Sequence, residues 1–575
     1  MDRDVHISLP ARKRCWRELE FWLLLALACA IYLPGLTRLS IRGEESRRAQ
    51  VAAEILRTGD WIVPRQQGEI YLSRPPLGSW PIAALASWRG EMDVLSVRLP
   101  AALATIATCL LLYLYARRWL TPLGALTAGA AFGSMAQVLE LGGLAETEST
   151  LTLLVAASLL CWHAGYVSAT RSAWPWVVGY ALAALAGLAK GPQGPVYFVA
   201  VTTVYLWALR DFREWFSWRH ALGILTFAVV LGAWQIPFTL RTDWASTYAI
   251  WSHNASDRFA ESSWQPFLTH LALYPFEVAA CMLPWSLLLL AYAYPGVRRR
   301  LDHTAPLVRF LCIALLVTFP SCWFAATARG RYFMPLYPCA AVLIGVAVDR
   351  IVLLAQPARL GYALQRFLWP FAAALPLAAA AVVVAGALAG SNVQPLQAAT
   401  DPPAMLFAFT VVTLLAGWLI ARAARDITPT RVRWAILSIA GFVGFLHSGP
   451  ITNIRVAQSQ DTDSQVAQLK QLLPLDAQRE LVSLGLVHHL FAYYYAEPIR
   501  ALAPEAFEQT SYDWEYFCLH QIGDAPLDLP FDWTPVAVVS CDRARLARPH
   551  EKVIVGRRLT GSSQTAGRGD DHARK

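Results

Sequence analysis

Acidic and basic side chains stand where apolar stretches of this chain begin or end. Glu44 and Glu45 follow the first stretch, Glu146 and Glu148 open a later one, Lys190 lies between two, and Arg329 and Arg331 lie between two more. A charge at or inside an apolar membrane layer is expensive, so its placement carries information. Carboxylates gathered with cations suit a reaction that needs a base or acceptor-orienting acid and, separately, positive charge to neutralise a phosphate leaving group. Taken one at a time, each residue also reads as an interfacial anchor with its stem in the apolar layer and its head in water. The set is harder to explain that way, because the stretches around it place all of its members at one depth and on one side.

The elements that must hold these groups are membrane helices. Of 575 residues, 56% are hydrophobic and 15% charged, and the mean hydropathy is +0.39, which excludes a soluble enzyme. A helical span takes about 20 mostly apolar residues, since every backbone amide must be satisfied internally. Thirteen such spans are expected, at 20–36, 97–116, 121–138, 148–168, 173–189, 192–209, 218–240, 272–294, 306–326, 333–354, 367–390, 404–422 and 432–450. The net charge of +9 does not signal nucleic-acid binding, because the basic residues sit in short tracts between apolar runs.

Arg117, Arg118, Arg171, Arg210, Arg298, Arg350, Arg422 and Arg425 all fall on one side if the N-terminus is cytoplasmic, and the opposite loops are poor in Lys and Arg. Thirteen spans then put residues 451–575 on the extracytoplasmic side of a multi-pass cell-membrane protein. The first span follows Arg12, Lys13, Arg14 and Arg17 and lacks a good cleavage site, so it reads as a retained anchor.

Residues 1–450 form the membrane domain, which includes the outer loop 37–96. There Ser46–Leu56 reads as an in-plane amphipathic helix ending near Gly59, and Leu77–Ser87 as a second short helix. Residues 451–560 read as a small α/β extracytoplasmic domain, with a helix at Ser464–Leu473 and strands at Leu481–Leu486, Val536–Ser540 and Val553–Val555. The tail 561–575 is polar and reads as disordered. Cys518 and Cys541 either pair in this domain or remain free, and no C-x-x-C or zinc-ligand spacing occurs.

Four motifs of the first outer loop carry a resemblance. They are Glu44-Glu45-Ser46-Arg47, then Gly59-Asp60-Trp61-Ile62-Val63-Pro64, then Tyr71-Leu72-Ser73-Arg74-Pro75-Pro76-Leu77-Gly78-Ser79-Trp80, then Arg98-Leu99-Pro100. Glu148-Ser149-Thr150-Leu151, Ala189-Lys190-Gly191, Asn254 with Arg258-Phe259, Leu283-Pro284-Trp285 and Arg331-Tyr332-Phe333-Met334-Pro335 follow in the same order. This run resembles the protein O-mannosyltransferase and lipid A aminoarabinose transferase family of GT-C glycosyltransferases. It is matched well from residue 20 to about 350, and the outer tail with Tyr493-Tyr494-Tyr495-Ala496-Glu497-Pro498 looks like the family's C-terminal domain.

The resemblance implies an α-helical polytopic GT-C enzyme that moves a sugar, with inversion, from a polyprenyl-phosphate donor to a lipid, glycan or protein acceptor at the extracytoplasmic face. Glu44 falls where the family has its catalytic Asp, and Glu148 on a second Asp near the cavity. Arg74 falls where a Lys usually meets the donor phosphate, Lys190 and Arg258 on other cationic positions, and Arg47, Tyr71, Arg331 and Tyr332 on site-lining ones. Both aspartates are therefore glutamates here, longer by one methylene, and a lysine is an arginine, which exchanges a point charge for a planar fork. These departures leave open a different acceptor, Glu45 in place of Glu44 as the functional acid, and an inactive relative. A transporter or flippase of lipid-linked sugars is the alternative from another class, and it would call for internal repeats and mid-span charges, neither of which the sequence displays.

His253, Asp257 and Glu261 recur at helical spacing and could hold a divalent metal, although a solvated helix face has the same pattern. His488-His489 beside an expected strand reads as a surface pair.

Overall fold

The computed structural model describes residues 15–168, 172–256, 264–299, 301–353, 361–388, 403–459, 461–502, 513–542 and 550–559. Asp257, Arg258, Glu261 and the tail 561–575 lie outside the described residues, as does the side chain of His253. The chain divides into two compact units. The first contains Met1–Leu39, Val51–Gln66 and Ile70–Ala457, the second Ser40–Gln50, Gln67–Glu69 and Gln458–Lys575.

This division cuts the outer loop, which the sequence assigned wholly to the membrane domain. Hydrogen bonds inside the second unit explain why. Ser46 Oγ meets His489 Nδ1 at 2.7 Å, Gln50 Nε2 donates to the His489 carbonyl at 2.7 Å, and the Ile499 amide donates to Gln67 Oε1 at 2.8 Å.

The first unit is helical. Every expected span coincides with a helix, from Leu19–Tyr32 and Val94–Ala116 through Thr147–Tyr166, Trp174–Lys190, Gln193–Ala208 and Trp218–Arg241 to Tyr337–Leu353, Pro403–Arg425 and Pro429–Leu446. Among the described residues, however, seven stretches are long and apolar enough to cross a membrane, or eight if one bent pair counts as a span. Several helices are shorter than the sequence suggested. Leu19–Tyr32 has 14 residues and stops just before Pro34, and Pro122–Gly133 has 12, which at 1.5 Å per residue falls short of a hydrocarbon core about 30 Å thick. The span expected at 272–294 is broken into Trp264–Cys281 and a 3-10 turn over Trp285–Ala293, bent by 112°.

Burial separates the helices by role. In the stretch Gly330–Leu353, 94% of the apolar window is buried, whereas in Trp218–Arg241 only 17% is. The latter turns Leu225, Val229, Ile236 and Leu240 outward, a surface matched to acyl chains. The buried helix is wedged close to Pro122–Gly133, where a Cβ on Gly345 would lie 2.5 Å from the Gly124 carbonyl oxygen. Only glycine permits that approach.

The second unit holds a five-stranded sheet of β1 (Val482–Leu484), β2 (Arg500–Leu502), β3 (Tyr516–Ile522), β4 (Trp533–Ser540) and β5 (Glu551–Arg558), in the order β2-β1-β3-β5-β4. β1 runs parallel to β2 and β3, and β5 runs antiparallel to β3 and β4. Helices Thr462–Leu472 and His489–Tyr495 supply Val466, Leu469, Phe491 and Tyr495 to its core. Cys518 and Cys541 are both free and buried. The register forbids a bridge: Cys518 on β3 faces Val555, while Cys541 follows β4 and bonds back to Glu551. One whole strand separates them, so their Cα atoms stand well beyond the roughly 7 Å that a disulfide tolerates.

Candidate active site

Four distant segments of the first unit bring charge to one buried place. The helix Thr147–Tyr166 starts with Glu146 at its N-cap and Glu148 in its first turn, where the positive end of the helix dipole favours carboxylates. Lys190 is the last residue of Trp174–Lys190, at the negative end of that helix. Gly191 follows with φ of +89°, a conformation other residues resist, and turns the chain into Gln193–Ala208. Arg331 sits in a 3-10 turn, Gly330–Leu336, ahead of Tyr337–Leu353. Arg74 comes from the loop preceding Pro75 and Pro76.

That loop is held by the motif residues before it. Asp60 accepts the amides of Ile62 at 2.9 Å and Val63 at 3.3 Å and a guanidinium bond from Arg241 at 2.9 Å. Trp80 Nε1 donates to the Trp61 carbonyl and Trp234 Nε1 to that of Ile62, each at 2.9 Å. These residues are therefore scaffolding. Arg98 is scaffolding too: fully buried in its helix, it donates to the carbonyls of Leu36 and Leu39 at 2.7 Å each and closes the end of the first helical segment.

The charges are tightly arranged. Lys190 Nζ lies 2.6 Å from Glu148 Oε1, with both side chains 2% exposed. Arg331 donates to Glu146 Oε2 at 2.7 Å and brings its Nε to 4.0 Å from Glu148 Oε1. Arg74 donates to Thr147 Oγ1 at 2.8 Å. Tyr332 presents its ring to both Lys190 Nζ, at 5.1 Å, and the Arg331 guanidinium, at 5.5 Å, and Gln193 holds the Tyr332 carbonyl at 2.8 Å.

Arg74, Lys190 and Arg331 thus gather around Glu146 and Glu148. Taking charges out of water costs several kcal/mol each, a cost that such pairing offsets. Glu148 Oε2, buried, has no hydrogen-bond partner among the described residues.

Of the residues singled out from sequence, Glu148, Arg74, Lys190, Arg331 and Tyr332 are gathered here, while Arg329 is exposed. Tyr71 is buried in the same unit, its amide bonded to the Pro64 carbonyl at 2.8 Å. Glu44 and Arg47 belong to the second unit, at the start of the helix Glu44–Thr58. There Glu44 is 3.6 Å from Arg47 Nε and 3.7 Å from Arg48, with its side chain 23% exposed. Glu45 is fully buried and accepts the Arg42 amide at 3.4 Å, which makes it a helix-start cap. Thr147 and Gln193 were missed from sequence, since neutral residues inside apolar runs carry no mark of the partners they hold, the Arg74 guanidinium for Thr147 and the Tyr332 carbonyl for Gln193.

In sequence and in fold this membrane-type helical chain is similar to the lipid A aminoarabinose transferases. Residues 73–235 match the family described as dolichyl-phosphate-mannose-protein mannosyltransferase. The undecaprenyl phosphate-alpha-4-amino-4-deoxy-L-arabinose arabinosyl transferase of Pseudomonas aeruginosa (strain UCBPP-PA14) is 30% identical over 342 residues, 57% of this chain and 60% of that protein. The enzyme of the same name from Edwardsiella ictaluri is 28% identical over 351 residues, 58% of this chain and 60% of that one. The chain thus spans about three fifths of these relatives' length in alignment. The crystal structure of ArnT from Cupriavidus metallidurans bound to undecaprenyl phosphate superposes with a TM-score of 0.69 at 18% identity, covering 94% of this chain and 98% of that one.

Proposed function

We propose that this protein transfers a sugar from a polyprenyl-phosphate donor to an acceptor hydroxyl or related nucleophile at the extracytoplasmic membrane face. The observation that carries the proposal is the buried cluster of Arg74, Lys190 and Arg331 around Glu146 and Glu148. Guanidinium and ammonium groups gathered in this way suit a phosphate, whose oxygens accept charge-assisted hydrogen bonds. The names of the relatives, with their undecaprenyl phosphate carriers, support the same donor class.

In the reaction the acceptor oxygen forms a bond to the anomeric carbon as the bond from that carbon to the phosphate oxygen breaks, which inverts the centre. The electron pair leaves with the polyprenyl phosphate, whose growing charge Lys190, Arg74 and Arg331 offset, and a carboxylate takes the acceptor's proton. The family resemblance names Glu44 for that carboxylate, and Glu45 beside it is buried and accepts the Arg42 amide. Preorganised dipoles and charges do most of such work, since a sugar phosphate already has a good leaving group.

The test is transfer from labelled polyprenyl-phosphate sugars by purified protein, read by mass spectrometry and begun with the undecaprenyl-linked aminopentose of the relatives' names. Glu44→Gln should abolish transfer and Lys190→Ala should slow it by about 10²–10³-fold while the protein stays membrane-inserted; undiminished turnover in both variants rejects the proposal. An inactive relative is the second reading, favoured by glutamate standing where the family has aspartate at position 44, and sugar transfer from any donor by the wild-type chain disposes of it.

A further inference from the structure

The second unit contains a cluster that the proposed transfer does not use. His520 on β3 pairs in register with Val553 on β5, two residues along from Glu551. Because side chains alternate across a strand, His520 and Glu551 rise on the same sheet face as diagonal neighbours. His488, the N-cap residue of His489–Tyr495, comes down on the same face. Ligand atoms of the three residues all lie within 4.8 Å of one another, and His488 Nε2 is 3.5 Å from Glu551 Oε2. In a tetrahedral site with bonds of about 2.0–2.2 Å, neighbouring ligand atoms stand roughly 3.4 Å apart, so one edge already has the right length.

Far from being a surface histidine, His488 is only 7% exposed. Its Nδ1 and the Nε2 of His520 are buried atoms with no hydrogen-bond partner among the described residues. Asp542 fixes the backbone where β5 begins: its Oδ1 accepts the Glu551 amide at 2.7 Å, and its Oδ2 meets His550 Nδ1 at 2.9 Å.

We infer that His488, His520 and Glu551 form a binding site for a divalent transition-metal ion of the zinc type, with a fourth position open to water or an exogenous ligand. Two imidazoles and one carboxylate are a donor set that such ions favour over magnesium or calcium, which prefer oxygen. The ion would tie the start of a helix to two strands of the sheet.

The test uses the full chain, purified in detergent and freed of any affinity tag. After dialysis against zinc and then against metal-free buffer, wild type should retain about one zinc per chain by mass spectrometry of the metal. Substituted with cobalt, it should show the intense visible bands of a tetrahedral centre. His520→Ala should lose the zinc and the bands, and Glu551→Gln, a conservative change at a partly exposed position, should weaken zinc binding at least tenfold, with circular dichroism unchanged in both. The inference is overturned if wild type retains no more metal than a chelator-treated control, or if both variants bind zinc and cobalt as wild type does.

Discussion

Two of the clusters of ionisable groups among the described residues are built on opposite principles. In the helical unit, full charges meet at helix ends: Glu146 and Glu148 at the start of one helix, Lys190 at the end of another, Arg331 in a short turn. Helix dipoles and Coulomb attraction stabilise the ionised forms. In the sheet unit, His488, His520 and Glu551 are placed by strand register and one helix cap, and two of the three are imidazoles. The two proposals follow that difference, an anionic donor at the first cluster and a divalent cation at the second.

The largest effect expected from breaking the first cluster is in Lys190→Ala. Removal of an electrostatic stabiliser of this kind costs about 10²–10³-fold in turnover, measurable as the rate of sugar transfer at saturating donor. Arg331→Met should come next. It deletes a charge-assisted hydrogen bond worth about 1.5–3 kcal/mol, or about 10- to 100-fold in donor affinity, checked by titrating the donor lipid.

The third prediction separates binding chemistry from stability. Lys190→Met leaves Glu148 buried without its partner, a loss of about 3–5 kcal/mol. Adding Glu148→Gln should restore much of the thermal stability in detergent without restoring transfer; a double variant as unstable as the single one would show that Glu148 is not the partner that matters.

The smallest effect belongs to the sheet. Cys518 and Cys541 should resist maleimide in the folded protein and react once it is denatured, with no linked peptide in non-reducing maps. Burial pushes the Cys518 thiol up to about 12 and raises Cys541 as well. Rapid labelling of the native chain would contradict their place in the core.

The positions of the helices and most of the helical cluster were legible in the sequence, because apolar runs of membrane length and charges at their ends are visible residue by residue. Lys190 and Glu148 stand out for that reason. Helix lengths were less legible: the break after Cys281 and the short Pro122–Gly133 helix lie inside runs whose hydropathy continues past the turn. The outer loop's split between two units depends on hydrogen bonds of Ser46 and Gln50 to His489, more than four hundred residues away, and no local pattern encodes such partners. The metal cluster was hidden for the same reason. A histidine pair looks superficial until β3 and β5 are in register, and β3 itself, Tyr516–Ile522, was not expected as a strand.

Arg98 has a bearing on how such sequences are compared. It belongs to the motif run that resembles the family, and its guanidinium donates to two backbone carbonyls. A polypeptide that had lost all chemistry would still need that clamp to fold. Homology searches weighted toward Arg98 or Asp60 therefore recover architecture, and on the proposed function the sorting of working enzymes from silent paralogues falls to the positions equivalent to Arg74, Lys190 and Arg331.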